Sequence, residues 1–330
     1  MREHRIAGLL LASVGIVTAI AWSQQAMALE PGAAAQTTPG INIGTTAKPM
    51  DPGIYFSDTA LTYQSKQVGP GADAVNGDNA NLARGFDSAK VTVVPGWTFL
   101  GATYSAAIVQ KALMKQIGPP VNTSASGLGN TLLSPIQLAW NVGNGFFIQA
   151  IAGVYVPDGT TAGATGTGNV GDPYWTFQPQ LILSYLNDGW AFTANIYDEI
   201  NTKNRISGYT TGQIFHTDFT ATKTIGRWTI GPVAYLVDQI TSDSSSAAYE
   251  FNNQGKFTTF AIGGLVGYDF GPAKINVWAT DEIYAHGYGG TPGAGRNETT
   301  QGFTVFGQVS FKAWPLADEA PPPARPLITK

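Results

Sequence analysis

Apolar and polar residues alternate along most of this chain. From Trp175 to Tyr185 one parity carries Trp175, Phe177, Pro179, Leu181, Leu183 and Tyr185. The other carries Thr176, Gln178, Gln180, Ile182 and Ser184. A period of two is the mark of a strand with one apolar face. Asn187-Asp188-Gly189 then reads as a tight hairpin turn. In the next run Trp190, Phe192, Ala194 and Ile196 share one face, and Thr193, Asn195, Tyr197 and Glu199 the other. About twelve such runs are predicted, at 54–64, 86–96, 100–111, 130–142, 146–157, 174–186, 190–200, 213–224, 228–240, 257–269, 273–284 and 302–314.

The connections alternate as well. Short turns are expected around Gly96-Trp97, Gly143-Asn144-Gly145, Asn187-Asp188-Gly189, Ile225-Gly226-Arg227 and Gly271-Pro272. The other connections are long and rich in Gly, Ser, Asn and Thr, as at 65–85, 158–173 and 285–301. One rim of turns and one rim of loops is the pattern of a bacterial outer-membrane barrel. The fold class predicted is therefore all-β, an antiparallel transmembrane β-barrel of about 12 strands with short periplasmic turns and long extracellular loops.

Face chemistry separates this from a soluble β-sandwich. The inferred outward faces Phe146/Ile148/Ala150/Ala152/Val154, Phe260/Ile262/Gly264/Val266/Tyr268/Phe270 and Phe303/Val305/Gly307/Val309/Phe311 carry no charge and end in aromatics. Interfacial girdles look like this. Charged residues are only 12% of the chain, too few to coat a soluble protein of 330 residues. The polar half is Gly, of which there are 40, with Thr, Ser, Asn and Gln. A net charge of −4 argues against nucleic acid as a partner. The absence of cysteine excludes disulfides and thiolate chemistry.

Both ends read differently from the body. Arg2 to Arg5 is a short basic start, Ile6 to Trp22 a largely apolar run, and Ala26-Met27-Ala28 a small-x-small cleavage signature. Residues 1–28 are thus expected to be a secretory signal peptide. Residues 29–52, rich in Ala, Gly, Thr and Pro, form either a flexible N-terminal segment or a plug folded into the lumen. The barrel is expected over 53–316. Pro321-Pro322-Pro323 and Pro326 mark 317–330 as a periplasmic tail that cannot join a sheet.

Several segments resemble the outer-membrane family described as MetA-pathway of phenol degradation proteins. They are Ser126-Gly127-Leu128-Gly129-Asn130-Thr131-Leu132-Leu133-Ser134-Pro135, Tyr155-Val156-Pro157-Asp158-Gly159, Tyr174-Trp175-Thr176-Phe177-Gln178-Pro179 and Asp188-Gly189-Trp190. Asn201-Thr202-Lys203-Asn204, Tyr209-Thr210-Thr211-Gly212 and Gly231-Pro232-Val233 extend the likeness, which runs over roughly 54–315. The resemblance implies a barrel associated with catabolism of aromatic or other hydrophobic compounds, and no catalytic residues.

Strand parity points a set of side chains inward. His216 and Asp218 share a face with Thr220 and Thr222, and Glu199, Lys274 and Glu282 also face the lumen. With Tyr155, Tyr197, Tyr235 and Trp278 they are the expected solute-contacting residues, although a hydrogen-bonded brace is the simpler reading of His216 and Asp218. An enzyme is not expected: the mature chain has only His216 and His286, His286 falls in a predicted loop, and no G-x-S-x-G elbow occurs. Two distant histidines without cysteine give no metal site, and no cofactor is expected. The expected function is passive uptake of small hydrophobic or aromatic solutes by a monomer. Outer-membrane lipids and the barrel-insertion machinery are its expected partners. A structural or adhesive surface protein with a filled lumen is the alternative.

Overall fold

The computed structural model describes residues 34–68, 81–119, 122–162, 169–244, 256–288 and 299–316. The expected leader at 1–28 and tail at 317–330 lie outside the described residues. Fourteen strands form one antiparallel sheet. They are β1 (Gly53–Val68), β2 (Asn81–Val94), β3 (Thr98–Phe99), β4 (Ala102–Ile117), β5 (Thr123–Leu128), β6 (Thr131–Gly143) and β7 (Phe146–Val156). Then follow β8 (Thr176–Asn187), β9 (Trp190–Asn201), β10 (Ile214–Ile225), β11 (Trp228–Gln239), β12 (Lys256–Asp269), β13 (Ala273–Tyr288) and β14 (Thr299–Pro315).

Twelve strands close a barrel. β1 pairs with β2 on one side and with β14 on the other, from Gly53↔Pro315 to Val68↔Thr299. β2 pairs with β4 and β4 with β6, and each later strand pairs with its chain neighbours. Closure leaves no lipid-exposed ladder edge, which a hydrocarbon layer requires. The turns use residues able to adopt positive φ: Asp188 and Gly189 sit at 45° and 73° and join β8 to β9.

The two short strands depart from the sequence reading. Around Gly96-Trp97 a simple turn was expected; the chain instead makes a hook in which β3 pairs Thr98 with Thr103 and Phe99 with Ala102. β5 occupies a stretch expected to be loop. β4 runs on to Ile117, beyond the level at which β6 begins, and its Ala112–Ile117 backbone needs a partner there. β5 supplies it, pairing Leu128 with Ala112 and Thr123 with Ile117. His286 is likewise not in a loop. β13 continues to Tyr288 because β12 starts early enough to pair with it, Thr258 facing His286.

Burial alternates on nearly every strand. On β8 Thr176, Gln178, Ile182 and Ser184 are buried while Phe177, Leu181 and Leu183 are exposed. Outward aromatics cluster near the turn rim, with Phe146 against Tyr185 at 4.8 Å, Trp228 against Tyr268 at 4.7 Å and Phe56 against Phe311 at 5.4 Å. This is a membrane-interface girdle. The outer face is not free of charge, however. Parity on β1 and β2 turns Asp58 and Asp87 outward, on neighbouring strands and diagonal to one another, two residues off direct register.

Residues 34–50 run inside the barrel. Three successive turns, Thr38 O to Ile41 N, Gly40 O to Ile43 N and Asn42 O to Thr45 N, coil the centre of this segment. Gly40 and Gly44 take φ of 78° and 82°, open to them for want of a Cβ. Ile43 and Ala47 are fully buried, and Ile43 packs in a cluster with Leu265, Trp278 and Phe306.

Candidate functional site: the lumen and its inner segment

Strands β7 to β10 form the wall that holds residues 34–50. Glu199, on β9, accepts from the backbone N–H of Gln36 at 2.8 Å and of Thr37 at 2.7 Å. Asp218, on β10, accepts from Gly40 N–H at 3.2 Å and Asn42 N–H at 3.1 Å. Gly44 N–H donates to Thr220 Oγ1 at 3.0 Å and Ala47 N–H to Ser184 Oγ at 2.9 Å. The turns of the inner segment aim successive N–H groups to one side, and such a row of amides is a natural anion nest. Here the anions are the barrel's own carboxylates. Opposite this wall Trp278 donates its indole N–H to Gly40 O at 3.0 Å. The Lys111 ammonium donates to Gln36 O.

The sequence-predicted lumen residues all face inward, and most are occupied by protein groups. Tyr155 shares a 2.7 Å hydrogen bond with Thr37 Oγ1. Tyr197 stacks on His216 at 4.5 Å between ring centroids. His216 Nε2 lies 3.3 Å from Glu199 Oε1. Tyr235 and Tyr63 donate to Glu282 at 2.7 and 2.9 Å, and Gly302 N–H donates to the same carboxylate at 2.6 Å. Lys274 lines open space instead.

Among the described residues two chambers stand in that open space. A chamber of about 540 Å³ opens toward the turn rim, between the inner segment and a wall made by β1, β2, β4, β6, β7, β8, β13 and β14. A smaller chamber of about 150 Å³ lies on the loop side. Leu61, Tyr63, Phe86, Leu113, Val237 and Phe257 give the smaller one its apolar lining. Thr38 and Lys111 border both chambers, so residues 36–38 form the partition. Sequence reasoning passed over Lys90 and Lys111, which line the larger chamber. Their parity on β2 and β4 was the available signal.

These features define an outer-membrane barrel whose lumen holds its own N-terminal segment. The chain belongs to the family described as "Putative MetA-pathway of phenol degradation", which matches residues 55–304. In fold it is similar to the COG4313 outer membrane channel from Pseudomonas putida F1, with a TM-score of 0.66 at 9% identity over 83% of this chain and 99% of that one. Weaker likenesses include the β domain of the Bordetella autotransporter BrkA (TM-score 0.43, 14% identity, 78% of this chain and 99% of that one). The TodX monoaromatic hydrocarbon channel is similar at a TM-score of 0.41 and 11% identity, over 84% of this chain and 93% of that one. No curated protein matches the chain in sequence.

Proposed function

We propose that this protein is an outer-membrane channel for passive uptake of small hydrophobic or aromatic compounds that feed catabolism. The observation that carries the reading is the pair of chambers in series along a closed barrel, meeting at residues 36–38 and Lys111. The loop-side chamber, at about 150 Å³ and lined by apolar and aromatic side chains together with charged ones such as Arg84, Lys115 and Glu282, has the size of a cavity that accepts a benzene ring. A scaffold or adhesin does not require such space, and a lumen filled by side chains would favour that alternative. In this reading the signal peptide at 1–28 is cleaved on export and the insertion machinery places the barrel. The chain acts as a monomer without cofactor or catalytic residues. The inner segment is the plug. Passage requires residues 36–38 to move, because they separate the chambers.

Tyr155, Tyr197, Glu199, His216, Asp218, Tyr235, Trp278 and Glu282 then act on the solute indirectly. They hold the plug or brace the wall, and Lys274 meets the solute itself. Uptake of labelled phenol or toluene into cells lacking the gene, at limiting concentration, tests the channel. Rates should fall several-fold and return on complementation. Unchanged rates would refute the reading.

A further inference from the structure

The larger chamber is strongly one-signed. Among the described residues it is lined by five lysines, Lys48, Lys90, Lys111, Lys274 and Lys312, and by one carboxylate, Asp269. The whole chain, by contrast, carries a net charge of −4. The opposite sign sits across the lumen, where Glu199 and Asp218 are saturated by amides of the inner segment. The lumen is thus polarised, with the plug on an acidic wall and the open space on a basic one.

The basic wall is built in register. Lys90 on β2 faces Ser57 on β1, Ser57 faces Ser310 on β14, and Ser310 faces Lys274 on β13. All four point inward and line the chamber. Strand spacing sets the two lysine backbones about 14 Å apart with two hydroxyls between. One step toward the turn rim, Tyr55 faces Lys312, whose ammonium lies 5.7 Å from the tyrosine ring centroid. Lys90 and Lys274 make no ion pair among the described residues; Asp269, the register partner of Lys274, stays beyond ion-pair distance. Two ammoniums without an ion-pair partner, beside hydroxyl donors inside a barrel wall, form a site that favours an oxyanion. Ile41, Val109, Ile151 and Ile182 line the same chamber and leave apolar surface for a ring.

We infer that the Lys90–Ser57–Ser310–Lys274 row is a carboxylate-binding site on the solute path, and that the chamber takes aromatic or other hydrophobic carboxylates in preference to their neutral counterparts. This rests on the channel reading for its place in uptake, and deepens it by naming the solute class. The probes are benzoate and benzyl alcohol, of similar size and differing in charge. Their binding to the full chain in detergent micelles is measured by calorimetry. Benzoate is expected to bind at least tenfold more tightly, an advantage that shrinks as sodium chloride is raised. That comparison is made within the unaltered protein. In Lys90→Met/Lys274→Met, which keeps the length of both side chains, benzoate affinity should fall at least tenfold while benzyl alcohol affinity holds. Ser57→Ala/Ser310→Ala should weaken benzoate several-fold with both lysines present. Equal binding of the two probes by the unaltered protein would overturn the site, as would undiminished benzoate affinity in the folded double-Met variant. If benzoate binds as expected but deletion leaves aromatic uptake unchanged, the channel fails and the site stands. If uptake depends on the protein and both probes bind equally, the site fails and the channel stands.

Discussion

Truncating Glu199 and Asp218 removes the strongest contacts that keep the inner segment in place. Each carboxylate accepts from two backbone N–H groups, at 2.7–2.8 Å for Glu199 and 3.1–3.2 Å for Asp218. Hydrogen bonds to charged groups contribute about 1.5–3 kcal/mol each. Losing the pair on Asp218 should therefore cost the seated plug about 3 kcal/mol at the lower bound, and at about 1.4 kcal/mol per decade the displaced fraction rises on the order of 100-fold. Asp218→Ala together with Glu199→Ala doubles the loss. The chain contains no cysteine, so Thr38→Cys reports plug position without background. Labelling of that cysteine by a bulky maleimide should be slow in the otherwise unaltered barrel and faster by one to two orders of magnitude in Asp218→Ala. Liposomes carrying the double variant should pass small solutes faster. The conservative Asp218→Asn keeps the shape and loses the charge, and should lie between the two. Equal labelling rates in all four proteins would show that the carboxylates do not hold the segment, and would refute the reasoning.

Three further outcomes follow from the wall itself. Asp58→Ala/Asp87→Ala removes two outward carboxylates from a lipid-facing surface; urea unfolding in micelles should show a gain of about 1–3 kcal/mol, since acids on the lipid face destabilise barrels, and a loss would mean that the pair has a binding partner. A Cβ at Gly263 would stand 1.8 Å from Ala279 O, so Gly263→Ala should cost about 1–3 kcal/mol by overpacking and reduce the heat-modifiable fraction on gels. Glu282→Ala leaves Tyr235 and Gly302 N–H without the acceptor they share and leaves Tyr63 with Thr300 alone; it should destabilise by about 2–4 kcal/mol, whereas His216→Ala, which removes a ring stack rather than an acceptor, should cost less in the same assay.

The barrel was legible in the sequence because a membrane wall imposes a period of two on every strand, and aromatics mark where each strand meets the interface. Lys256–Asp269 and Trp228–Gln239 stand within a residue of the expected spans for this reason. The errors fall where pairing demand overrides local composition. Thr123–Leu128 is mostly small and polar, and becomes a strand because Ala112–Ile117, paired with β2 on one edge, would otherwise lack a partner on the other. Parity likewise found Glu199 and Asp218, but their chemistry could not be read from their own strands. Their partners are amides of Gln36, Thr37, Gly40 and Asn42, more than 160 residues away in a segment without alternation. Residues 34–50 are legible only after the wall is known, because their order comes from that wall.

The division of charge in the lumen bears on how a plug and a solute can share one barrel. A plug held by carboxylates through its N–H groups presents the remainder of its surface, including Lys48, to the larger chamber. An anion entering there meets Lys90, Lys274 and Lys312 and has no attraction to the acidic wall. It therefore does not compete directly with Glu199 or Asp218 for the plug's amides while those carboxylates are in place. Lys111 is the exception. Its ammonium donates to Gln36 O, lies 5.2 Å from the Tyr155 ring centroid, and borders both chambers. An anion that advances past the serine row has Lys111 as its next cation, and drawing that ammonium away removes a bond from the plug at the partition itself. The charge that attracts the solute thus also helps to hold the barrier shut, and the one lysine common to both chambers is where occupancy of the site can be felt by the plug.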